Sequence, residues 1–333
     1  MKRIGVIILT MCLLTGFAFA GGQTESGTSQ LIYAHMNAPG SNTGLQAVHF
    51  EELVKEKTNG SVIINVYPSS QLGTLQEMAE MVSNGSVAFH HNTMAGIGSL
   101  YADYAALDTP FLYKDVDHLM RVTDVDSPIM KKLNEGLIAE RNVRNLYNFY
   151  FGTRQLTANK AVRTPDDLRG MKIRAIPFPI YMAAVDGMGA IATPIDFSEL
   201  PTALATGAAD GQENPANTIY ANKFQDVQSH MMLTGHIMGA ECVVVNETVW
   251  QSFTAEQQKQ IKEAAAETAL WATKITQEGE AENVQLLKDA GMTVISEAEG
   301  LDLEAFRSRV NAYVNEKFSD QYGEIYDIIK TID

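Results

Sequence analysis

Residues 31–93 read LIYAHMNAPGSNTGLQAVHFEELVKEKTNGSVIINVYPSSQLGTLQEMAEMVSNGSVAFHHNT. The run 31–36 is rich in apolar and β-forming residues, and the Asn37-Ala38-Pro39-Gly40-Ser41-Asn42 loop stops it. Residues 45–57 repeat apolar side chains at helical spacing and end at Asn59-Gly60. A second β-rich run, 62–67, is halted by Pro68-Ser69-Ser70. Thr74 followed by Glu77 is a capping box, each side chain bonding the other's backbone N–H, and it opens a helix to Asn84-Gly85. A short strand over 87–90 follows. The order β-α-β-α-β predicts an α/β fold, with a mostly parallel sheet covered by helices.

Beyond this unit the pattern continues with wider spacing. Strands are predicted over 143–151, 171–176, 191–195, 242–246 and 292–295. Thr164-Pro165-Asp166-Asp167 is a helix start, with Thr164 capping and Pro165 first. Residues 181–187 read as helix, and Ser198 is placed to cap a helix through Leu204 to Gly207. Thr254 and Gln257 open a long helix whose apolar positions, Ile261, Ala265, Leu270, Ala272 and Ile275, carry it to about residue 287. Such length suits a brace between two lobes. Two terminal amphipathic helices finish the chain.

The N-terminus predicts export. Lys2 and Arg3 precede an uncharged apolar run over 4–17, and Ala18-Phe19-Ala20 offers a small-x-small cleavage site before Gly21. Residues 1–20 therefore read as a signal peptide and 21–29 as a flexible tether. Cys12 lies inside the apolar run after Met11, which argues against a lipid anchor. Cleavage would leave Cys242 as the last cysteine, so no internal disulfide is expected. No later stretch approaches the eighteen apolar residues of a membrane span, so the mature chain is expected to be soluble.

The 333 residues suffice for two ordinary domains. The chain carries 25 basic and 40 acidic residues, a net charge of −15, and loss of Lys2 and Arg3 would deepen it. That field repels nucleic acid and anionic lipid. It also repels an anionic ligand at long range, so an anion site must rest on local arginines. No phosphate loop, cofactor motif or metal-ligand set stands out. His90 and His91 are adjacent on a predicted strand and point to opposite faces, which argues against joint chelation.

Four segments carry a family likeness: FGTRQLTANK at 151–160, TPDDLRGMKIRAIPFP at 164–179, ATPIDFSELPTALATGAADGQENPANTIYANKFQDVQ at 192–228 and LTGHIMGAECVVVNETVW at 233–250. With Tyr67-Pro68-Ser69-Ser70-Gln71-Leu72-Gly73 and Asp108-Thr109-Pro110-Phe111-Leu112-Tyr113, they resemble the DctP family. These are the substrate-binding subunits of tripartite ATP-independent periplasmic (TRAP) transporters. The resemblance implies a two-lobed periplasmic binding protein fold, with a cleft between the lobes and a long C-terminal helix spanning both. It implies a first lobe of 30–152 with about 240–270, a second of 153–239 with about 271–333, and a bridging helix over 255–287. It also implies a non-catalytic, monomeric periplasmic receptor that hands a small organic acid to membrane permease subunits and needs no cofactor.

The site residues follow from that resemblance and from their chemistry. Arg174 ends a predicted strand just before Pro177, where ligands of open α/β sheets bind, and its planar fork matches a carboxylate. Arg154 matches a second arginine of sugar-acid binders, with an interlobe ion pair as the rival reading. Asn214, in the Asp210-Gly211-Gln212-Glu213-Asn214-Pro215 block, has both donor and acceptor. Glu213 is expected to hold an arginine or a ligand hydroxyl. Phe197 is placed against the ligand or in the core, Phe178 along the cleft, and His236 near it or in the core. On the first lobe His35 and Asn37 end the first strand and face the cleft, and His91, Asn92 and Thr93 end the third, where they would choose the ligand's distal end.

Two departures qualify the likeness. Glu199-Leu200-Pro201 lacks the aromatic residue usual before the Ala-Leu block, and Arg174-Ala175-Ile176-Pro177 replaces Arg-Val-Pro. Thr93 stands where a sialate binder has an acid, which argues against sialate. The expected ligand is a hexuronate such as glucuronate or galacturonate, or an aldonate. The alternatives are a C4-dicarboxylate or small hydroxy acid and, in another class, an exported carbohydrate-active enzyme using two cleft carboxylates.

Overall fold

The computed structural model describes residues 29–332. The predicted signal peptide and all but the last residue of the tether lie outside the described residues. Among the described residues nine strands form one sheet: β1 (Ser29–Ala34), β2 (Val62–Tyr67), β3 (Phe89–Thr93), β4 (Val143–Ala158), β5 (Lys172–Ala175), β6 (Ile191–Pro194), β7 (Gly211–Pro215), β8 (His230–Asn246) and β9 (Thr293–Ile295). Their order is β2-β1-β3-β8-β4-β7-β5-β6, with β9 also paired to β8.

The antiparallel pair β4 and β8 is the spine of this sheet. One end of it carries β3, through Phe89–Thr93 against 241–245 of β8, and beyond that the parallel strands β1 and β2. The other end carries β7 on 154–158 of β4, then β5 and β6, and β9 on 230–232 of β8. Two groups of strands thus share only the long pair, and that is the two-lobed fold. The helix Ala255–Asp289 runs across both, packing on the Asn42–Lys57 helix and β4, then on the Ala216–Ala221 helix and β9.

Both spine strands are longer than their sequence signals, for a shared reason. Residues 151–158 and 230–241 mix polar and glycine positions, which hides strand periodicity. Gly152 has φ of +124°, and a Cβ there would lie 2.8 Å from that of Pro215. The register slips at this point, Tyr150 pairing with Ala240 and Gly152 with Gly239, so Phe151 is an extra residue in β4.

Other boundaries moved by a few residues, as with β3, which covers 89–93 rather than 87–90. Three expectations need correcting. The C-terminus forms a single helix, Leu303–Lys330, because it holds no proline and keeps burying side chains at helical spacing from Phe306 to Ile329. Ser198 caps nothing: it lies inside the 3-10 turn Phe197–Glu199, which feeds directly into the helix Leu200–Thr206, with Pro201 in its first turn. Leu270 is 75% exposed. The buried stripe of the long helix runs through Ile261, Ala264, Ala265, Thr268, Ala272 and Thr276, and Leu270 sits two residues from both Thr268 and Ala272, on the opposite face.

Candidate ligand-binding site

β5 delivers Arg174 to the end of its strand, beside Thr193 of β6. Lys172 turns to solvent, whereas Arg174 is 1% exposed. Its Nε donates to the Ile195 carbonyl at 2.8 Å. Its Cζ stands 5.8 Å from the centre of the Phe197 ring. Among the described residues, Nη1 and Nη2 are buried without a hydrogen-bond partner. Burial lowers this pKa to about 10, with Glu213 opposing the shift and Arg154 adding to it. A buried guanidinium whose two-pronged edge is unpaired costs free energy until an anion meets it.

Arg154 follows the Gly152 bulge on β4, diagonal to Glu213 of β7. Its Nε donates to Glu213 Oε2, and Nη2 donates to Glu213 Oε1 at 2.8 Å, to the Glu213 carbonyl at 2.7 Å and to Asn214 Oδ1 at 3.2 Å. Cζ lies 5.1 Å from the Tyr181 ring centre and 5.7 Å from that of Phe151. Burial works against the charge on Arg154, but the Glu213 carboxylate outweighs it and the pKa rises. Burial likewise opposes ionisation of Glu213, yet Arg154 and His236 hold its carboxyl down at about 2. The Glu213 carboxylate thus lies against the Arg154 guanidinium.

His236 joins this group through a second irregularity. Arg154 pairs with Ile237 and Leu156 with Met232, so Leu233–His236 of β8 stand opposite Gln155 alone. Gln155 Oε1 accepts from the N–H of Gly235 at 2.9 Å and fixes the bulge. His236 Nε2 then reaches Glu213 Oε2 at 3.1 Å, while Nδ1 meets Thr234 Oγ1 at 2.8 Å. Asn214 turns its Nδ2 to Gln212. Phe178 is buried and precedes the Pro179–Gly187 helix. Phe197 is half-buried and also packs against Phe224.

The candidate residues on and beside β1 and β3 form a separate buried array. His35 and His91 stack at 4.7 Å. His91 Nε2 meets Asn37 Oδ1 at 2.8 Å, and Nδ1 faces Tyr33 and Gln46 at 3.0 Å. His90 faces the other way, with Nδ1 on the Ala34 carbonyl at 2.8 Å. Asn92 is spent on the Leu75 carbonyl, and Thr93 on the N–H of Gly96. His35 Nε2 and Asn37 Nδ2 are buried without partners among the described residues. Burial holds His35 down to about 3 and His90 to about 4.

Two acids escaped the sequence reading. Glu241 of β8 is 1% exposed, and neither of its carboxylate oxygens has a partner among the described residues. Asp108 ends the 3-10 helix Ala102–Asp108. Its Oδ2 accepts from the N–H of Ala95 at 2.8 Å and from Tyr181 Oη at 3.1 Å, while Oδ1 is unpaired. Burial first, and then the Asp108 carboxylate, pushes Glu241 up to about 8 against the opposing charge of Arg154; burial pushes Asp108 up to about 6. A charged residue within the otherwise apolar run Ala240–Val245 was the available signal for Glu241. A surface groove between the Pro128–Arg141 helix and the long helix includes none of these residues.

Residues 33–321 match the model of the DctP family, bacterial extracellular solute-binding protein family 7. The chain belongs to this family. It is a TRAP solute-binding protein and a receptor, not an enzyme. It is 30% identical over 295 residues to the C4-dicarboxylate-binding periplasmic protein DctP of Rhodobacter capsulatus, spanning 87% of this chain and 86% of that one. The crystal structure of a TRAP periplasmic solute-binding protein from Roseobacter denitrificans with bound L-galactonate is 27% identical. It has a TM-score of 0.83 and covers 91% of this chain and 98% of that one. A counterpart from Shewanella oneidensis with bound succinate is 28% identical, with a TM-score of 0.84, covering 92% and 98%. DctP-family proteins are periplasmic, bind small organic acids and work with TRAP membrane permeases. No described helix is long and apolar enough to cross a membrane.

Proposed function

We propose that this TRAP receptor captures a sugar acid, a hexuronate or an aldonate, by its carboxylate on Arg174. The observation that carries the reading is the fully buried guanidinium with Nη1 and Nη2 unpaired and an aromatic ring against its face. A carboxylate laid against that edge would accept two parallel bonds, the strongest polar contact available to it. Arg154, locked by Glu213, would add positive potential and hold Asn214 in place. His35 and Asn37 would offer their unpaired nitrogens to the distal end of the ligand. Phe197, Phe178 and His236 complete the wall, and Asn92 and Thr93 shape its floor.

The chain would be exported by residues 1–20 and act as a monomer. Its lobes would be 30–152 with about 240–270 and 153–239 with about 271–333. The receptor closes over its cargo and presents the closed form to the permease. Differential scanning calorimetry with a panel of uronates and aldonates tests the ligand class, because a ligand bound only by the folded chain raises the melting temperature. A panel without a single upward shift would refute it. The likeness to the Rhodobacter and Shewanella proteins keeps C4-dicarboxylates as the second reading.

A further inference from the structure

Arg154 and Glu213 form a balanced pair, and on the proposed reading the cargo's carboxylate balances Arg174. That leaves Glu241 and Asp108, both within 1% of full burial, with no salt bridge among the described residues and only the more distant charge of Arg154 acting on them. Tyr181 connects them to the arginines: its hydroxyl bonds Asp108, and its ring lies against Arg154. Glu241 faces Thr93 across β3 and Phe149 across β4, on the first-lobe end of the spine. The two Glu241 oxygens, without a donor among the described residues, therefore lie across the Arg154–Glu213 pair from β5 and Arg174, and Asp108, which the Thr93 hydroxyl also approaches, keeps Oδ1 short of a bond. Such oxygens require hydrogen-bond donors.

We propose that Glu241 and Asp108 form the subsite for the hydroxyl-bearing end of the cargo and bar a second carboxylate from it. This rests on the reading of Arg174 as the carboxylate anchor. Hydroxyls suit the subsite because each donates to one acid oxygen and accepts from any acid that has kept its proton. Burial pushes both acids towards that protonated form. Near neutral pH Asp108, raised only to about 6, keeps its charge, so the distal carboxylate of succinate would meet a like charge in a buried space, where the repulsion is strong. The receptor is thus built to select polyhydroxy monocarboxylates against dicarboxylates.

Isothermal titration calorimetry near neutral pH tests this on the mature chain, using L-galactonate, D-galacturonate, succinate and 4-aminobutanoate. The better sugar acid should bind at least about tenfold more tightly than succinate, a gap of the size one repelled charge produces. Asp108→Asn should narrow that gap about tenfold, chiefly through tighter succinate binding, and Glu241→Gln should narrow it less, because its carboxyl is largely uncharged near neutral pH. Circular dichroism melts identify a variant that fails to fold, in which case the other decides. An unchanged ratio in the folded acid variants, with binding lost in Arg174→Ala, overturns this inference and leaves the anchor standing. Full affinity in Arg174→Ala, or no sugar-acid binding by the natural chain, overturns the anchor and this inference with it. Preference for 4-aminobutanoate would assign the acids to a cation and refute the hydroxyl reading.

Discussion

At the scale of single residues, the site is a contest between burial and pairing. Arg174 is buried with four of its five N–H donors unpaired, so its replacement tests recognition more directly than stability. Arg174→Ala should abolish ligand-induced thermal shifts. Arg174→Lys keeps the charge but loses the planar fork, and affinity should fall by about a hundredfold in calorimetric titration. Glu241 makes a second prediction. Its ordinary pKa of 4.5 rises to about 8 in the folded chain, so between these values the folded form holds a proton that the unfolded form has released. That contribution is fully present below pH 4.5 and is lost as pH rises through 8. Glu241→Gln removes the dependence. The variant's melting temperature, relative to the natural chain, should climb across this window, reaching an advantage on the order of a few kcal/mol in stability. A constant difference from pH 5 to pH 8.5 would contradict the burial of that carboxyl. His35 and His90 act at the other end, where stability is lost as pH falls below about 6.5, because only the unfolded chain takes up those protons.

At the scale of elements, two irregularities in the β4–β8 spine place the site. The Gly152 bulge turns Arg154 towards β7, and the Leu233–His236 bulge turns His236 onto Glu213. Gly152→Ala would add a methyl group 2.8 Å from Pro215 at a φ of +124°. Urea unfolding should show a loss of about 2–4 kcal/mol, with weakened ligand binding as Arg154 shifts. Unaltered stability would mean that the bulge tolerates a side chain. These bulges also mark where sequence legibility ended. The β-α-β-α-β start, the Thr74–Glu77 capping box and the long helix opened by Thr254 and Gln257 were readable because each rests on local spacing and local hydrogen bonds. The extra lengths of β4 and β8 were not, since glycines and polar residues there are set by what lies across the sheet. Arg174 and Glu213 were legible through the motifs around them. Glu241 and Asp108 were not, because their meaning depends on Tyr181 and Arg154, residues distant in the chain.

At the scale of the whole molecule, the same unpaired groups bear on closure. In this structure Arg174, Glu241 and Asp108 are sealed from water with donors or acceptors unmet. Each such buried group costs about 1–3 kcal/mol, and opening the lobes would return all three to water. A ligand that supplies a carboxylate at one end and hydroxyls at the other removes those costs in the closed form alone, and so shifts the equilibrium towards it. A penalty of even 3 kcal/mol in total would leave under about 1% of the molecules closed without cargo. Small-angle X-ray scattering should therefore give a larger radius of gyration for the ligand-free chain than for the closed structure, contracting to the closed value as a bound sugar acid saturates it. Arg174→Ala should stay expanded at ligand concentrations that close the natural chain. A ligand-free chain already at the closed radius would show that something other than the cargo stabilises those three groups, and the coupling between recognition and closure would have to be abandoned.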